Sequence, residues 1–274
     1  MNKALYAVVP IVIVVIAIAL VSGIERGNVQ TTPTGTFQSY DNVPVQQSLL
    51  SLLNISNIES NQIVNGTAIV KGRAGDPPLF VNGTVLMNDG KPEVLYIGAE
   101  YCPYCAAERW PMIIALMRFG TFSGLKYMTS SSSDAFANTP TFTFNNSTYT
   151  SNYISFVPVE TTTNKLVNGQ YPTLQNTNSA QNATLFAYDQ QGSIPFVDFG
   201  NRTVQVGANY DPQILGGMNW SQIASAIQNP NTQQAKGIIG SANLITAEIC
   251  MIDNNTPSDV CSQPYVKQIE NMSG

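Results

Sequence analysis

The chain has 274 residues, a formal net charge of -5, only 11% charged residues and no histidine, so Asn, Gln, Ser, Thr and Tyr carry most of its polarity. Without imidazole, Ser/His/Asp and Cys/His catalysis and His-based zinc sites cannot be assembled. Without a Lys/Arg block there is nothing to neutralise a row of phosphates, so no nucleic-acid partner is expected.

Residues 4–24, ALYAVVPIVIVVIAIALVSGI, carry no charge and have membrane-spanning length, so 1–24 is expected to be a transmembrane signal anchor. A cleaved signal peptide is the alternative, with small residues at 21–23 to cut. Lys3 and the free amino terminus precede the span, while Glu25 and Arg26 cancel after it. The positive-inside bias then puts the amino terminus in the cytoplasm and the C-terminal domain outside the cell. Asn-x-Ser/Thr triplets begin at Asn54, Asn65, Asn82, Asn145, Asn146, Asn182, Asn201, Asn219, Asn254 and Asn271. That density suits a glycosylated exterior, although an Asn- and Thr-rich chain also yields such triplets by composition. Sparse charge and absent histidine fit an acidic medium as well.

Residues 25–43 are rich in Thr, Gly and Pro and read as an extracellular linker, followed at 44–78 by an amphipathic helix, VQQSLLSLLNISNIES, and a lead-in. Two apolar runs flank NDGK at 88–91; the second, VLYIGA, is apolar on both faces like a central strand. AAERWPMIIALMRFG then repeats its apolar residues with helical period as far as Gly120. The motif CPYC, Cys102 to Cys105, therefore falls where a strand ends and a helix begins. GLKYMTSSSS reads as the next strand, and the stretch 134–192, from DAFANTPTFTF to SAQNATLFAYDQQG, mixes short aromatic and Thr-rich strands with polar loops and one possible helix. SIPFVDFGNRTVQVG predicts a hairpin about Gly200-Asn201, NWSQIASAIQN a helix capped by Asn219 or Ser221, and TQQAKGIIGSANLITAEICMID a further helix. A tail with Cys261 closes the chain.

A Cys-x-x-Cys at a helix start faces unpaired backbone N–H groups and the positive end of the helix dipole, which lower the pKa of the first thiol. Cys102 is thus the expected attacking sulfur, and Cys105, one turn further in, the resolving one. Pro103 fits the opening turn, where its missing N–H has no intrahelical acceptor. Cys250 and Cys261 bracket the polar loop MIDNNTPSDV. In an oxidising compartment they are expected to form a structural disulfide; an electron relay to Cys102 and Cys105 is the alternative.

VLYIGAEYCPYC resembles the active-site segment of the thioredoxin superfamily, and its Cys-Pro-aromatic-Cys variant is similar to that of glutaredoxins. GSIPFVDFGN resembles the segment in which that superfamily places a cis-proline opposite the active site. The resemblance implies that Ile194 and Pro195, with Tyr101 and Tyr104, bind substrate; YPTL with Pro172 is a weaker match, since no strand-like run follows it. AEYCPYCAAERWPMIIALMRFGTF followed by TPTFTF resembles an uncharacterised archaeal membrane-anchored family, domain of unknown function 929. The fold implied is α/β and thioredoxin-like, a central mixed sheet flanked by helices. Its domain would span 79–232 with an inserted subdomain at about 130–185, and 233–274 would form a C-terminal helical extension. The sequence departs from that pattern at Tyr96, where thioredoxin carries a buried Asp; Glu108 is the candidate proton relay if it turns inward.

Three functions follow from these residues. The first is a membrane-anchored extracellular thiol–disulfide oxidoreductase, an oxidase or isomerase of secreted or cell-surface proteins that carry thiols or disulfides. It needs no cofactor and is recycled by a membrane redox partner. The second is an inactive cell-surface binding or assembly subunit whose Cys102–Cys105 bridge is a staple, favoured by a buried Cys102. The third is a thiolate protein binding Cu(I) with two cysteines or zinc with all four.

Overall fold

The computed structural model describes residues 40–55, 79–81 and 83–273. The expected anchor at 4–24, most of the linker and the lead-in from 56 to 78 lie outside the described residues.

Helix α1 (Gln47–Leu53) is followed by strands β1 (Leu79–Phe80), β2 (Met87–Asn88) and β3 (Lys91–Gly98) and by helix α2 (Pro103–Met117). An excursion of four short strands comes next: β4 (Gly120–Ser123), β5 (Lys126–Thr129), β6 (Pro140–Thr143) and β7 (Thr148–Ser151). The chain returns through β8 (Ser155–Glu160), α3 (Ser179–Tyr188), β9 (Phe196–Phe199) and β10 (Thr203–Val206). It ends in helices α4 (Trp220–Ala226), α5 (Gln233–Ile252), α6 (Ser258–Cys261) and α7 (Pro264–Ser273).

The central sheet is mixed. β3 lies in its middle, parallel to β8 on one side and antiparallel to β9 on the other, and β10 and β1 continue the antiparallel order beyond β9. β2 joins β3 through the tight turn Asp89-Gly90, both at positive φ, which Gly adopts without a Cβ penalty. The β9–β10 turn uses Gly200 and Asn201 in the same way.

Alternation along β3 divides the core. Val94 and Tyr96 face one side and pack with α2, α5 and the aromatic residues of the excursion, while Leu95 and Ile97 face the other with Leu185 of α3, Phe196 and Val204. Helices thus cover both faces, which is why VLYIGA carries no polar alternation. α5 is the one helix among the described residues apolar and long enough to cross a membrane, but 83% of its apolar window is buried within the protein, so it is a core helix.

α2 runs unbroken through Pro111. Proline removes the N–H that would have bonded the Ala107 carbonyl, and the Tyr210 hydroxyl supplies that donor at 2.7 Å. The neighbouring Ala106 carbonyl accepts from Thr141 Oγ1 at 2.7 Å. Tertiary hydroxyls thereby let α2 keep an internal proline.

The segment 130–185, expected to form an inserted subdomain, does not stand apart. It holds β8, which pairs along its whole length with β3, and α3, which covers the sheet. The strands that leave the central sheet are β4 to β7, paired β4 with β7 and β5 with β6. Short Thr-rich strands that pair within their own excursion carry no periodic mark separating them from β8.

Candidate functional site

Cys102 is the N-cap of α2, in extended conformation, and its sulfur accepts a hydrogen bond from the Cys105 N–H at 3.3 Å. Pro103 occupies the first turn, where its missing N–H costs nothing. On its other side the Cys102 thiol contacts the Ile194 carbonyl at 3.8 Å. The Ile194–Pro195 peptide bond is cis, so the start of β9 lies directly against the first cysteine; Pro172, the alternative read from YPTL, is not cis. The two cysteines are free thiols.

The thiols are unequal. Cys102 is held below the ordinary thiol range by a hydrogen bond from Cys105, opposed by burial and helped by the Cys105 and Tyr104 N–H groups and the Arg109 cation. Burial pushes Cys105 well above that range. The first sulfur is therefore the one that ionises, and the second holds its proton, the division of labour that exchange through a mixed disulfide requires. Cys102 is only 6% exposed, however, so its sulfur is reached only between the residues around it.

Those surroundings come from segments distant in sequence. Tyr101 stacks flat on Tyr171, centroids 4.2 Å apart, and the Tyr171 hydroxyl donates to Ser131 Oγ at 2.8 Å. Ser131 N–H in turn donates to the Tyr101 carbonyl. Tyr104 is 38% exposed and meets Phe136 edge-on. Tyr171 stands on the hairpin after β8 and Phe136 on the loop before β6, and neither carried a sequence signal of its own.

Beneath the cysteines lies a buried ion pair that the sequence did not reveal. Arg109, one helical turn after Cys105, donates Nε to Glu160 Oε1 at 2.8 Å and Nη2 to Glu160 Oε2 at 2.6 Å, with both side chains fully buried. The same Nη2 donates to the Ala99 carbonyl at 2.8 Å. Glu160 ends β8 opposite Gly98, and that pairing, with α2 following β3 and Arg109 turned to the Ala99 carbonyl, brings two charges 51 residues apart into contact.

Glu108 does turn inward, but its carboxylate accepts from the Asn209 N–H at 3.2 Å and bonds Gln205. Its hydrogen-bond partners are thus on and just after β10. The charged groups acting on both thiols and on Tyr96 are Arg109 and, for Tyr96, Glu160.

Cys250 and Cys261 are joined in a disulfide with Cα atoms 5.6 Å apart. Its helix ends at Ile252, which packs near Gly200, beyond Phe199 at the end of β9 that pairs with Val94; Pro195 and Cys102 lie past the opposite end, beyond Ile97. At roughly 3.3 Å per strand residue, the length of the sheet separates the two pairs. Neither an electron relay nor a four-thiolate zinc site forms from such an arrangement, and no group of three or more potential metal ligands occurs among the described residues.

Of the triplet asparagines, Asn65 and Asn82 lie outside the described residues. Asn54, Asn146, Asn219, Asn254 and Asn271 are exposed, whereas Asn145, Asn182 and Asn201 are half-buried. Asn201 accepts from Tyr188 and donates to Thr84, and Asn219 caps α4 through its side chain.

Fold and site together define a mixed α/β domain with a dithiol set at the N-terminus of a core helix. Residues 78–251 match the family described as Domain of unknown function (DUF929), and the chain belongs to it. No curated protein and no solved structure matches the chain.

Proposed function

We propose that the protein is a thiol–disulfide oxidoreductase on a thioredoxin-like fold, anchored in the membrane by residues 4–24 and working outside the cell. The observation that carries this reading is the asymmetry of the two thiols. Cys102 is lowered and N-capping, Cys105 is raised and buried, and a cis Ile194–Pro195 bond faces the former. The strand order β8-β3-β9-β10, with only the first pair parallel, supports the fold assignment. The membrane and extracellular parts rest on the apolar run, its flanking charges and the triplet density.

In the oxidising direction, a thiolate of a secreted or cell-surface protein attacks Cys102 Sγ of the Cys102–Cys105 disulfide. The sulfur–sulfur bond breaks, a mixed disulfide forms, and the electron pair is left on Cys105. A second substrate thiolate then displaces Cys102, leaving the substrate oxidised and the site as the dithiol. A membrane redox partner accepts the two electrons to restore the disulfide. The Ile194 backbone lies where an extended substrate segment would pair with it.

A second reading, a binding or assembly subunit with a disulfide staple, draws on the slight exposure of Cys102. One experiment divides the two. Cys105→Ser in the host membrane should trap partner proteins on Cys102 as mixed disulfides, and the wild type should oxidise or rearrange a reduced or scrambled test protein. No trapped partner together with no activity sinks the oxidoreductase and leaves the subunit.

A further inference from the structure

Two buried hydrogen-bond donors beneath the cysteines have no acceptor among the described residues: the hydroxyl of Tyr96 and Nη1 of Arg109. Both side chains are fully buried, and an unpaired donor in such a place costs on the order of 1–3 kcal/mol. The orientation of each follows from what surrounds it. Arg109 commits Nε and Nη2 to Glu160 and Ala99, leaving Nη1 as its unpaired edge. Tyr96 folds forward along β3, because a Cβ on Gly98 would collide with its hydroxyl. That hydroxyl therefore reaches two residues closer to the CPYC motif than its own Cα. The Arg109 guanidinium lies 5.9 Å from the Tyr96 ring centre.

Cys105 is in the same place. It precedes Arg109 by one turn of α2 and packs in one cluster with Ala99 and Cys102. Its sulfur faces the Ala99 N–H, while Arg109 takes the Ala99 carbonyl. The other ionisable groups around it are Cys102 and the half-buried Tyr101, while the Glu160 carboxylate beside Arg109 is already satisfied by that cation.

We infer that Tyr96 and Arg109 form a two-donor seat for the Cys105 thiolate, the leaving group produced when the Cys102–Cys105 disulfide is opened at Cys102. The inference rests on the redox reading of the motif and names the groups that govern its energetics. When a thiolate bonds Cys102, the electron pair of the broken bond passes to Cys105 Sγ, a sulfur with no exposure to solvent. A bare buried anion is costly. An O–H and a charged N–H in the same buried region, unpaired while Cys105 keeps its proton, turn to the sulfur and stabilise it until it is protonated or attacks the mixed disulfide again. Burial pushes the Tyr96 hydroxyl well above its ordinary range, which keeps it a donor throughout. Gly98 then has a functional reason: any side chain there would evict the Tyr96 hydroxyl.

The test is the rate at which glutathione opens the Cys102–Cys105 disulfide of the full chain, with the redox state of both cysteines read by mass-tagged alkylation after acid quenching; in the disulfide Cys102 carries no charge, so the rate reports the leaving Cys105 sulfur. The variants are Tyr96→Phe, Arg109→Lys, and Arg109→Gln combined with Glu160→Gln, which avoids leaving Glu160 buried alone. Loss of the cation should slow opening by about tenfold. Tyr96→Phe should slow it by about fivefold. Arg109→Lys, which keeps a cation, should slow it less than the double Gln variant. If Tyr96→Phe and whichever Arg109 variants fold keep the wild-type rate while only their denaturation midpoints fall, the two residues are structural and the inference is overturned. Glutathione needs no protein substrate, so a changed rate stands even if Cys105→Ser captures no partner. Capture with unchanged rates would leave the functional reading in place and remove this one.

Discussion

Glu108→Gln isolates the energetics of one buried carboxyl. Glu108 is fully buried on α2, its Oε2 accepting from Asn209 N–H at 3.2 Å, and no cation contacts it. Glu108 Oε1 and Asn209 Oδ1 are both buried acceptors without a donor among the described residues, and a proton on Glu108 turns one of them into a donor. Burial, partly offset by the bonds from Gln205 and Asn209, pushes this carboxyl up to about 8 from an ordinary 4.5. With the folded value above the unfolded one, folding takes up a proton between those limits. The stabilisation is complete below the lower value and is lost as pH rises through the upper. From pH 4.5 to 7.5 the loss from this one group is on the order of 4 kcal/mol. Gln keeps an acceptor for Asn209 and does not titrate. The variant should therefore lie within about 1 kcal/mol of wild type at pH 4.5 and gain on it by a few kcal/mol at pH 7.5. Urea unfolding of the full chain at both pH values, followed by the fluorescence of the buried Trp110 and Trp220, measures this. Glu248 and Asp253, each pushed up to about 7, and Asp198, to about 6, all by burial, tilt both curves the same way and cancel in the difference. Parallel stability curves for the two proteins would refute the reasoning.

Gly98→Ala should destabilise by about 1–3 kcal/mol because the new methyl meets the Tyr96 hydroxyl, and adding Tyr96→Phe should recover much of that loss in chemical denaturation. Tyr210→Phe removes the donor that replaces the missing Pro111 N–H at the Ala107 carbonyl and should cost about 1–3 kcal/mol by the same assay, with the fold retained in far-UV circular dichroism. Replacing both Cys250 and Cys261 by Ser opens a loop whose ends are 11 residues apart, costing about 3 kcal/mol. Since that bridge sits at the far end of the sheet, the glutathione equilibrium of Cys102 and Cys105 should not move.

Much of the scaffold is legible in local pattern. The unalternating VLYIGA becomes β3, the helical periods after Cys105 and from Gln233 become α2 and α5, and Asn219 caps α4. Between α2 and α3 the strand pairing was not, because four short strands pair locally while β8 pairs with β3, and none is long enough to carry a periodic mark of its partner. Glu108 and Arg109 show why buried polar roles resist such reading. Both stand one turn of α2 past the second cysteine, yet one bonds Asn209 and Gln205 and the other lies under the thiols. The difference is about 100° of helix rotation and depends on which strand each side of the helix meets.

The sequence by itself determined the chemistry on offer: two thiols at a strand-to-helix junction, no imidazole, few charges, and a second pair of cysteines close enough to bridge. These are matters of residue type and short spacing, which chain connectivity enforces. Only the tertiary structure decided which groups act on those thiols. The Arg109–Glu160 pair, the Tyr101–Tyr171 stack and the seat of Tyr96 against Gly98 each depend on the central sheet and the loops beyond it. They came from the packing of β8, β9 and the excursion around α2, where the low polarity of the interior makes every unpaired donor and every buried charge count.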